Sequence, residues 1–160
     1  LLKAIELEKK NLNSTIPLAV KISPDINDDN IDKISEILLK YKVMFAIITN
    51  STDKNRDNLK SIKKFEKGGL SGKPLEARSN ILINKFYKNL KNEIKIIGVG
   101  GVDSGKSAYE KFLNGACLIQ LYTGMIYQGP NIVSKINKEL SEILKNKGIK
   151  NFKEVIGSKI

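Results

Sequence analysis

The stretch that decides the fold is Ile96-Ile97-Gly98-Val99-Gly100-Gly101-Val102-Asp103-Ser104, followed by Asn114-Gly115-Ala116 and then Leu121-Tyr122-Thr123-Gly124. This order predicts a strand, a glycine turn, a helix and a second strand that ends in another turn of small residues. A turn of free backbone N–H groups that opens a helix can hold an anion. Two such turns on consecutive strands are typical of the phosphate site that follows the seventh and eighth strands of a (β/α)8 barrel. The pair therefore predicts a ligand that carries a phosphate group.

Short apolar runs alternate with amphipathic helical patterns along the whole chain. We predict strands, each buried on both faces, at residues 17–22, 43–49, 94–99 and 117–122. We predict helices at residues 28–41, 75–90, 104–114 and 132–147, and a short turn at 151–156. The expected inward-facing residues are Ile31, Ile34, Ile37, Leu38 and Tyr41 on the first helix, and Ile81, Leu82, Phe86 and Leu90 on the second.

Strand–helix alternation predicts a parallel sheet with right-handed crossovers. Four such units fit either an open α/β sheet or half of a barrel. The long polar loop at residues 51–73 favours the barrel, because loops at the carboxyl ends of barrel strands carry function. The chain does not begin with Met, and its first residues have a helical pattern, so we expect it to be part of a longer protein.

The composition excludes several kinds of site. The chain has 160 residues and no His, so it contains no His-based catalytic triad and no His-ligated zinc. We therefore predict no metal site. The single Cys117 lies in an apolar run and is interpreted as a buried small side chain that forms no disulfide. No apolar run is long enough to cross a membrane, and the first residues do not form a signal peptide.

The formal net charge of +11 raises the question of nucleic-acid binding. The charge is nearly all Lys and is spread along the chain, whereas Arg occurs only at Arg56 and Arg78. No stripe of Arg interleaves with aromatic residues. We interpret the lysines as a solvated surface and predict no nucleic-acid partner.

Three segments offer side chains for a ligand. Lys21 lies inside an apolar strand, where it either reaches out to solvent or faces the negative charge of a ligand. Thr49-Asn50-Ser51 closes the next strand and suits a polar planar ligand, although an ordinary turn has the same composition. The glycine-rich segment 68–75 (GGLSGKPL) lets the backbone approach a flat ligand closely, or else it is a flexible surface loop.

These segments resemble the class 2 dihydroorotate dehydrogenases, which are quinone-linked and depend on FMN. The resemblance covers about residues 1–156, and each motif alone is only moderately specific. The motifs that carry it are VKISPD (20–25), TNS (49–51), GGLSGKPL (68–75), IIGVGGV (96–102) with Gly115-Ala116, and LYTG (121–124). It implies that residues 1–160 are the C-terminal part of one FMN-binding (β/α)8-barrel domain, roughly strands five to eight.

The resemblance also implies roles for individual residues. The FMN-binding residues would be Lys21, Thr49, Gly72, Gly101, Tyr122 and Thr123, and the residues that bind dihydroorotate or orotate would be Asn50 and Ser51. Lys21 would place positive charge near the flavin ring, while Gly101 and Tyr122-Thr123 would bind its phosphate through backbone N–H groups. The family usually has Thr where Ser51 stands, and Ser keeps the hydroxyl.

In the family, (S)-dihydroorotate is oxidised to orotate during pyrimidine synthesis, and the electrons pass to a quinone. The resemblance places the catalytic Ser base in the N-terminal half of the barrel, so we expect no catalytic base in residues 1–160 and no activity without that half. It also implies peripheral attachment to the cytoplasmic side of the cell membrane through N-terminal helices. Two alternatives are another FMN-dependent barrel oxidoreductase and a non-catalytic fragment that binds flavin or phosphate.

Two expectations about geometry follow. The four strands should be parallel neighbours, with Lys21, Thr49, Gly101 and Tyr122 near their carboxyl ends. A Gly101→Val substitution should weaken FMN binding far more than it harms folding, because the new side chain would stand where the phosphate approaches.

Overall fold

The computed structural model describes residues 1–54, 56–90 and 93–160. The strands are β1 (Ala19–Ile22), β2 (Phe45–Ile48), β3 (Lys95–Val99) and β4 (Leu118–Gln120). The helices are α1 (Leu2–Asn11), α2 (Ile31–Lys40), α3 (Glu76–Leu90), α4 (Gly105–Leu113), α5 (Thr123–Gln128) and α6 (Ile132–Asn146). Short 3-10 turns lie at Asp28–Asn30, Ile62–Phe65, Lys73–Leu75 and Phe152–Val155.

The four strands form one parallel sheet in the order β1-β2-β3-β4. Lys21, Ile47, Ile97 and Leu118 occupy one row across the sheet. The predicted strands, their parallel pairing and their adjacency are confirmed, although each strand is shorter than predicted. Consecutive neighbours place all four carboxyl ends at one edge, where the loops that carry the candidate site begin.

The two faces of the sheet differ in burial. One face carries Ile22, Ala46, Ile48 and Ile96, which are buried in a core shared with Leu82, Ile83, Phe86 and Leu90 of α3. The other face carries Lys21, Ile47, Ile97, Leu118 and Gln120, all exposed or half-exposed, with Leu118 53% exposed. The prediction of strands buried on both faces is therefore wrong for this second face, because side chains alternate along a strand and the helices pack on one side only.

The prediction that the side chains face inward is wrong for Ile37 and Ile81. They are 47% and 49% exposed. The core-facing rows are Ile31, Ser35 and Leu38 on α2, and Ser79, Leu82, Ile83, Phe86 and Leu90 on α3. Ile37 and Ile81 each precede a buried leucine by one position, which turns the side chain about 100° away from the core.

Two local features differ from the sequence interpretation. Cys117 is half-buried instead of buried, since it leads into the edge strand β4, and its partial burial raises the pKa of the thiol. Helix α5 was not predicted, because the glycine turn at 122–124 was interpreted only as a turn. The start of α4 is confirmed: Ser104 is its N-cap and forms a reciprocal capping box with Ser107.

Two features are absent from the part of the chain that the structure describes. No helix there is long and apolar enough to cross a membrane. No group of three or more His, Cys, Asp or Glu side chains there is arranged to hold a metal ion.

Candidate functional site

A cavity of about 320 Å³ lies at the carboxyl ends of the four strands. Each strand or the loop after it contributes to the wall, and so does the glycine-rich loop. All eight residues predicted to bind a ligand line this cavity: Lys21, Thr49, Asn50, Ser51, Gly72, Gly101, Tyr122 and Thr123. The structure therefore brings the predicted residues together, and their binding roles stay predictions.

The loops around the cavity are tied to one another. Thr52 and Leu70 exchange backbone hydrogen bonds of 2.9 and 2.8 Å, which join the loop after β2 to the glycine-rich loop. The Asp25 carboxylate accepts hydrogen bonds from the Thr52 hydroxyl and, at 2.9 Å, from the Asp53 amide. The Ser23-Pro24-Asp25 turn thus anchors the loop that carries Asn50 and Ser51.

The glycine-rich loop also packs against the turn after β4. The Ser71 and Thr123 hydroxyls are 2.9 Å apart. Gly72 has a φ of +81°, and a Cβ on it would lie 2.8 Å from Thr123 Cγ2. Gly72 is therefore required for this close approach. Sequence reasoning did not assign Ser71, although it lies inside a quoted motif and lines the cavity.

The Gly100–Gly101 turn has two residues with positive φ, +115° and +77°. A Cβ on Gly101 would meet the start of α3, 2.5 Å from Glu76 Cβ and 2.7 Å from Glu76 Cα, and Glu76 does not line the cavity. The expectation that Gly101→Val mainly harms ligand binding is therefore wrong. The substitution must also displace the backbone of α3.

The amides at the start of α4 are already hydrogen-bonded. The Asp103 and Ser104 amides each donate to Ser107 Oγ at 3.0 Å, and the Gly105 amide donates to Glu139 Oε2 at 2.6 Å. The anion site expected at the turn that opens this helix therefore does not extend to these three amides. In the part of the chain that the structure describes, the Gly100 and Gly101 amides donate to no protein group, so they are the donors that this turn offers.

The charges at the rim of the cavity largely compensate one another. Lys73 forms ion pairs with Glu76 at 2.6 Å and with Asp103 at 3.4 Å. The hydrogen bond that Lys73 donates to the Glu76 carboxylate is the main cause of the raised pKa of Lys73. Burial opposes ionisation of Asp103, but hydrogen bonds from Ser107 and Ser104 and the charge of Lys73 outweigh it and lower the pKa of Asp103.

Lys21 differs from Lys73 in its electrostatic surroundings. Among the described residues it forms no ion pair, and it lines the cavity from the exposed face of β1. An uncompensated ammonium at a cavity wall favours an anionic ligand. The position therefore supports the ligand-facing interpretation of Lys21, while its exposure in this chain is also what the solvent-facing interpretation requires.

Thr49 is completely buried, and the structure gives its hydroxyl an internal role. Its Oγ1 lies 3.2 Å from the Asn50 carbonyl oxygen and 3.3 Å from that of Val99, while its amide donates to Val99 at 2.9 Å. The single hydroxyl hydrogen is therefore used inside the protein. The lone pairs of Oγ1 remain for a hydrogen bond from a ligand.

Sequence reasoning missed Lys111, a lysine on α4 that is 0% exposed. Its Nζ donates to Ser79 Oγ at 3.1 Å and to Asn80 Oδ1 at 2.9 Å. A signal was present, because Lys111 follows buried Ala108 by three positions and therefore lies on the inward face of the helix.

We expect Lys111 to make the free energy of unfolding depend on pH. Burial is the main cause that lowers its pKa from 10.5 to about 8; the Lys73 charge lowers it further and Glu76 opposes both. Between these two values the unfolded chain holds a proton that the folded chain has released. Stability should therefore rise with pH across this window, by roughly 3 kcal/mol at most.

Urea unfolding at pH 7.5 and pH 10.5 measures this effect. The parent should gain more stability between the two pH values than the Lys111→Met variant, in which the titrating group is gone. Equal changes in parent and variant would show that Lys111 has an ordinary pKa in the folded protein.

Comparison with known proteins adds independent evidence. The sequence profile of the family described as dihydroorotate dehydrogenase matches residues 1–144. The chain is 52% identical over 126 residues to a dihydroorotate dehydrogenase (quinone) of Vibrio cholerae, covering 78% of this chain and 37% of that protein. It is 43% identical over 144 residues to the protein of that name from Buchnera aphidicola, covering 88% of this chain and 43% of the relative.

A solved structure is also similar. A crystal structure of the dihydroorotate dehydrogenase of Eimeria tenella in complex with ferulenol superposes with a TM-score of 0.91 at 32% identity, over 98% of this chain and 46% of that one. The predicted fold, part of a (β/α)8 barrel, is confirmed. The chain spans about two fifths of the length of the curated relatives it matches. From its motifs, its sheet and these matches, the chain belongs to the dihydroorotate dehydrogenase family and, within it, to the class 2, quinone-linked members.

Proposed function

We propose that this chain forms part of the flavin and substrate site of an enzyme that oxidises (S)-dihydroorotate to orotate with a quinone as electron acceptor, in pyrimidine synthesis. The observation that carries the proposal is that all eight predicted residues line one cavity at the carboxyl ends of the strands. In barrels of this kind that end of the strands holds the active site. Family membership supports the same reaction.

The residues of the cavity fit FMN. The Gly100 and Gly101 amides are free to bind a phosphate, and Tyr122 and Thr123 begin the neighbouring turn. Gly72 brings backbone to the wall without a side chain, which suits a flat ring. We propose that FMN is the flavin and that residues 1–160 belong to a single domain that binds it.

The residues of this chain would bind and orient, and the bound flavin supplies the hydride chemistry. The Lys21 ammonium would stabilise negative charge on the flavin ring. The Asn50 amide offers both a donor and an acceptor to the ring of dihydroorotate, and the Ser51 hydroxyl adds a third hydrogen-bonding group. No residue of this chain is proposed as the catalytic base.

The exposed face of the sheet supports the proposal that further barrel strands complete the site. Lys21, Ile47, Ile97 and Leu118 would be interior residues of a closed barrel, where side chains fill the centre in layers. A groove of about 720 Å³ continues this face between β4 and α6. We propose that the N-terminal half of the barrel covers both, carries the catalytic base and attaches the enzyme peripherally to the cytoplasmic side of the cell membrane.

The test of the reaction compares two purified samples. The complete protein should contain FMN and reduce a soluble quinone only when dihydroorotate is supplied, whereas residues 1–160 alone should give no turnover. A complete protein that binds FMN but shows no dihydroorotate-dependent reduction would overturn the proposed activity and leave the alternative of a flavin-binding protein without this reaction.

The Asn50→Ala substitution tests the substrate site. In the complete protein we expect orotate to bind about tenfold or more weaker, because the loss leaves polar groups of a desolvated ligand unpaired. Flavin content should not change. Titration with orotate, followed by the absorbance of the flavin, measures the dissociation constant. Asn58→Ala is the matched control, since it removes an exposed amide from the same loop outside the cavity; equal effects of both substitutions would remove Asn50 from the site.

A further inference from the structure

Packing alone does not explain why a lysine, instead of an apolar residue, is buried at position 111. Its hydrogen-bond partners, Ser79 and Asn80, are neutral, and among the described residues it forms no ion pair. Burying a cation with neutral partners costs free energy that an apolar side chain of similar length would not cost. Its aliphatic stem packs against Gly98, where a Cβ would lie 2.9 Å from Lys111 Cδ.

The contact from Lys111 orients the Ser79 hydroxyl. An ammonium has only donors, so Ser79 Oγ must accept from Lys111 and direct its own hydrogen elsewhere. That hydrogen is donated to the Val99 carbonyl oxygen at 2.6 Å. Ser79 is completely buried, so no water competes for this bond.

The Val99 carbonyl oxygen lies directly before the Gly100–Gly101 turn. It accepts from the Thr49 amide at 2.9 Å as well as from Ser79, and the Thr49 hydroxyl lies 3.3 Å from it, so protein donors use both of its lone pairs. A Cβ on Gly100 would lie 3.3 Å from Ser79 Cβ, so α3 packs directly against the turn, and Ser79 itself does not line the cavity. Two hydrogen bonds, from Lys111 to Ser79 and from Ser79 to Val99, therefore connect the buried ammonium to the residue that precedes the turn.

We infer that Lys111 and Ser79 are positioning residues that hold the Gly100–Gly101 turn in the shape that binds the phosphate of the flavin. The inference rests on the proposed function for the identity of the ligand. Neither residue lines the cavity, so neither contacts the ligand itself. Loss of either one should loosen the turn and weaken only the part of flavin binding that depends on the phosphate.

The experiment compares FMN with riboflavin, which lacks the phosphate. Flavin-free complete protein is titrated with each compound, and quenching of flavin fluorescence gives the dissociation constants. For Ser79→Ala and Lys111→Met we expect FMN to bind about tenfold weaker. Riboflavin binding should change by less than about twofold, because the ring contacts do not involve the turn.

Ser35→Ala is the matched control. Ser35 is also buried on a helix and donates to a backbone carbonyl, that of Ile31 at 2.8 Å, but it lies on α2 away from the turn. It should leave the preference for FMN over riboflavin unchanged. Urea unfolding of each variant checks that the fold is intact, and Ser79→Ala, the smaller change, decides the matter if Lys111→Met does not fold.

The possible outcomes are distinguishable. An equal loss of affinity for both flavins, or no loss for either, would overturn the positioning role while the parent's preference for FMN still supports the proposed phosphate site. A parent that binds FMN and riboflavin equally well would overturn both the phosphate site and this inference. A selective loss of FMN affinity in both variants, absent from the control, would establish the role.

Discussion

Replacement of Gly101 by valine is expected to remove the flavin from the complete protein and to destabilise it by about 2 to 6 kcal/mol. A β-branched residue at a φ of +77° is strained by roughly 1 to 3 kcal/mol. Its Cβ would also lie 2.5 to 2.9 Å from atoms of Glu76, and overpacking of this kind costs about 1 to 3 kcal/mol. Relief of that contact must shift the turn, and with it the two amides proposed to bind phosphate.

The measurements are flavin content after purification and the urea unfolding midpoint. Gly148→Ala separates backbone strain from close approach, because Gly148 has a similar φ of +67° but no atom within 4 Å of the position of a Cβ. It should cost about 1 kcal/mol and leave the flavin content as in the parent. A Gly101→Val protein with full flavin content would exclude this turn from the binding site.

Replacement of Lys21 by methionine is expected to lower the reduction potential of the bound flavin and to slow its reduction by dihydroorotate. A fixed cation close to the flavin favours the state with more negative charge by roughly 1 to 3 kcal/mol at an effective dielectric constant near 20. In rate terms this is about 5-fold to 150-fold. A redox titration of the bound FMN and a stopped-flow measurement of its reduction test the two effects separately.

Lys95→Met provides the matched control for Lys21. Lys95 lies on the same face of the sheet, paired with Phe45 at the amino ends of the strands and therefore away from the cavity. Its replacement should change neither the potential nor the rate. If Lys21→Met also changed neither quantity, Lys21 would be a solvent-facing residue without a part in the chemistry.

Lys21 and Lys111 illustrate which charged residues of a site can be identified from the sequence and which cannot. Lys21 could be singled out because one charged residue interrupts an apolar strand, and strand ends in parallel sheets converge on one edge. Lys111 was missed because its spacing from Ala108 indicates only an inward position on α4, and a lysine at such a position commonly extends its ammonium to solvent. Only the packing of α4 against α3 shows that its ammonium is enclosed and bonded to Ser79.

The glycines also show which properties the sequence predicts and which depend on the tertiary structure. Their order along the chain predicts turns, and that prediction is confirmed at Gly100–Gly101. Which way a Cβ on Gly101 would point depends on where α3 begins in space, so the expectation for Gly101→Val was wrong. The use of the α4 amides by Ser107 and Glu139 was likewise hidden, since Glu139 comes from a helix more than 30 residues further along the chain.

The resemblance to a known family supplied the set of eight site residues. By itself, the sequence determined the alternation of strands and helices and the parallel sheet. These features depend on local periodicity, turn chemistry and the right-handed crossover, all of which are encoded within one strand–helix unit. Only the tertiary structure decided which face of the sheet is covered, which amides remain free to bind an anion, and that the Lys111 ammonium is buried and bonded to Ser79. Those properties depend on contacts between elements far apart in the chain, which periodicity does not encode.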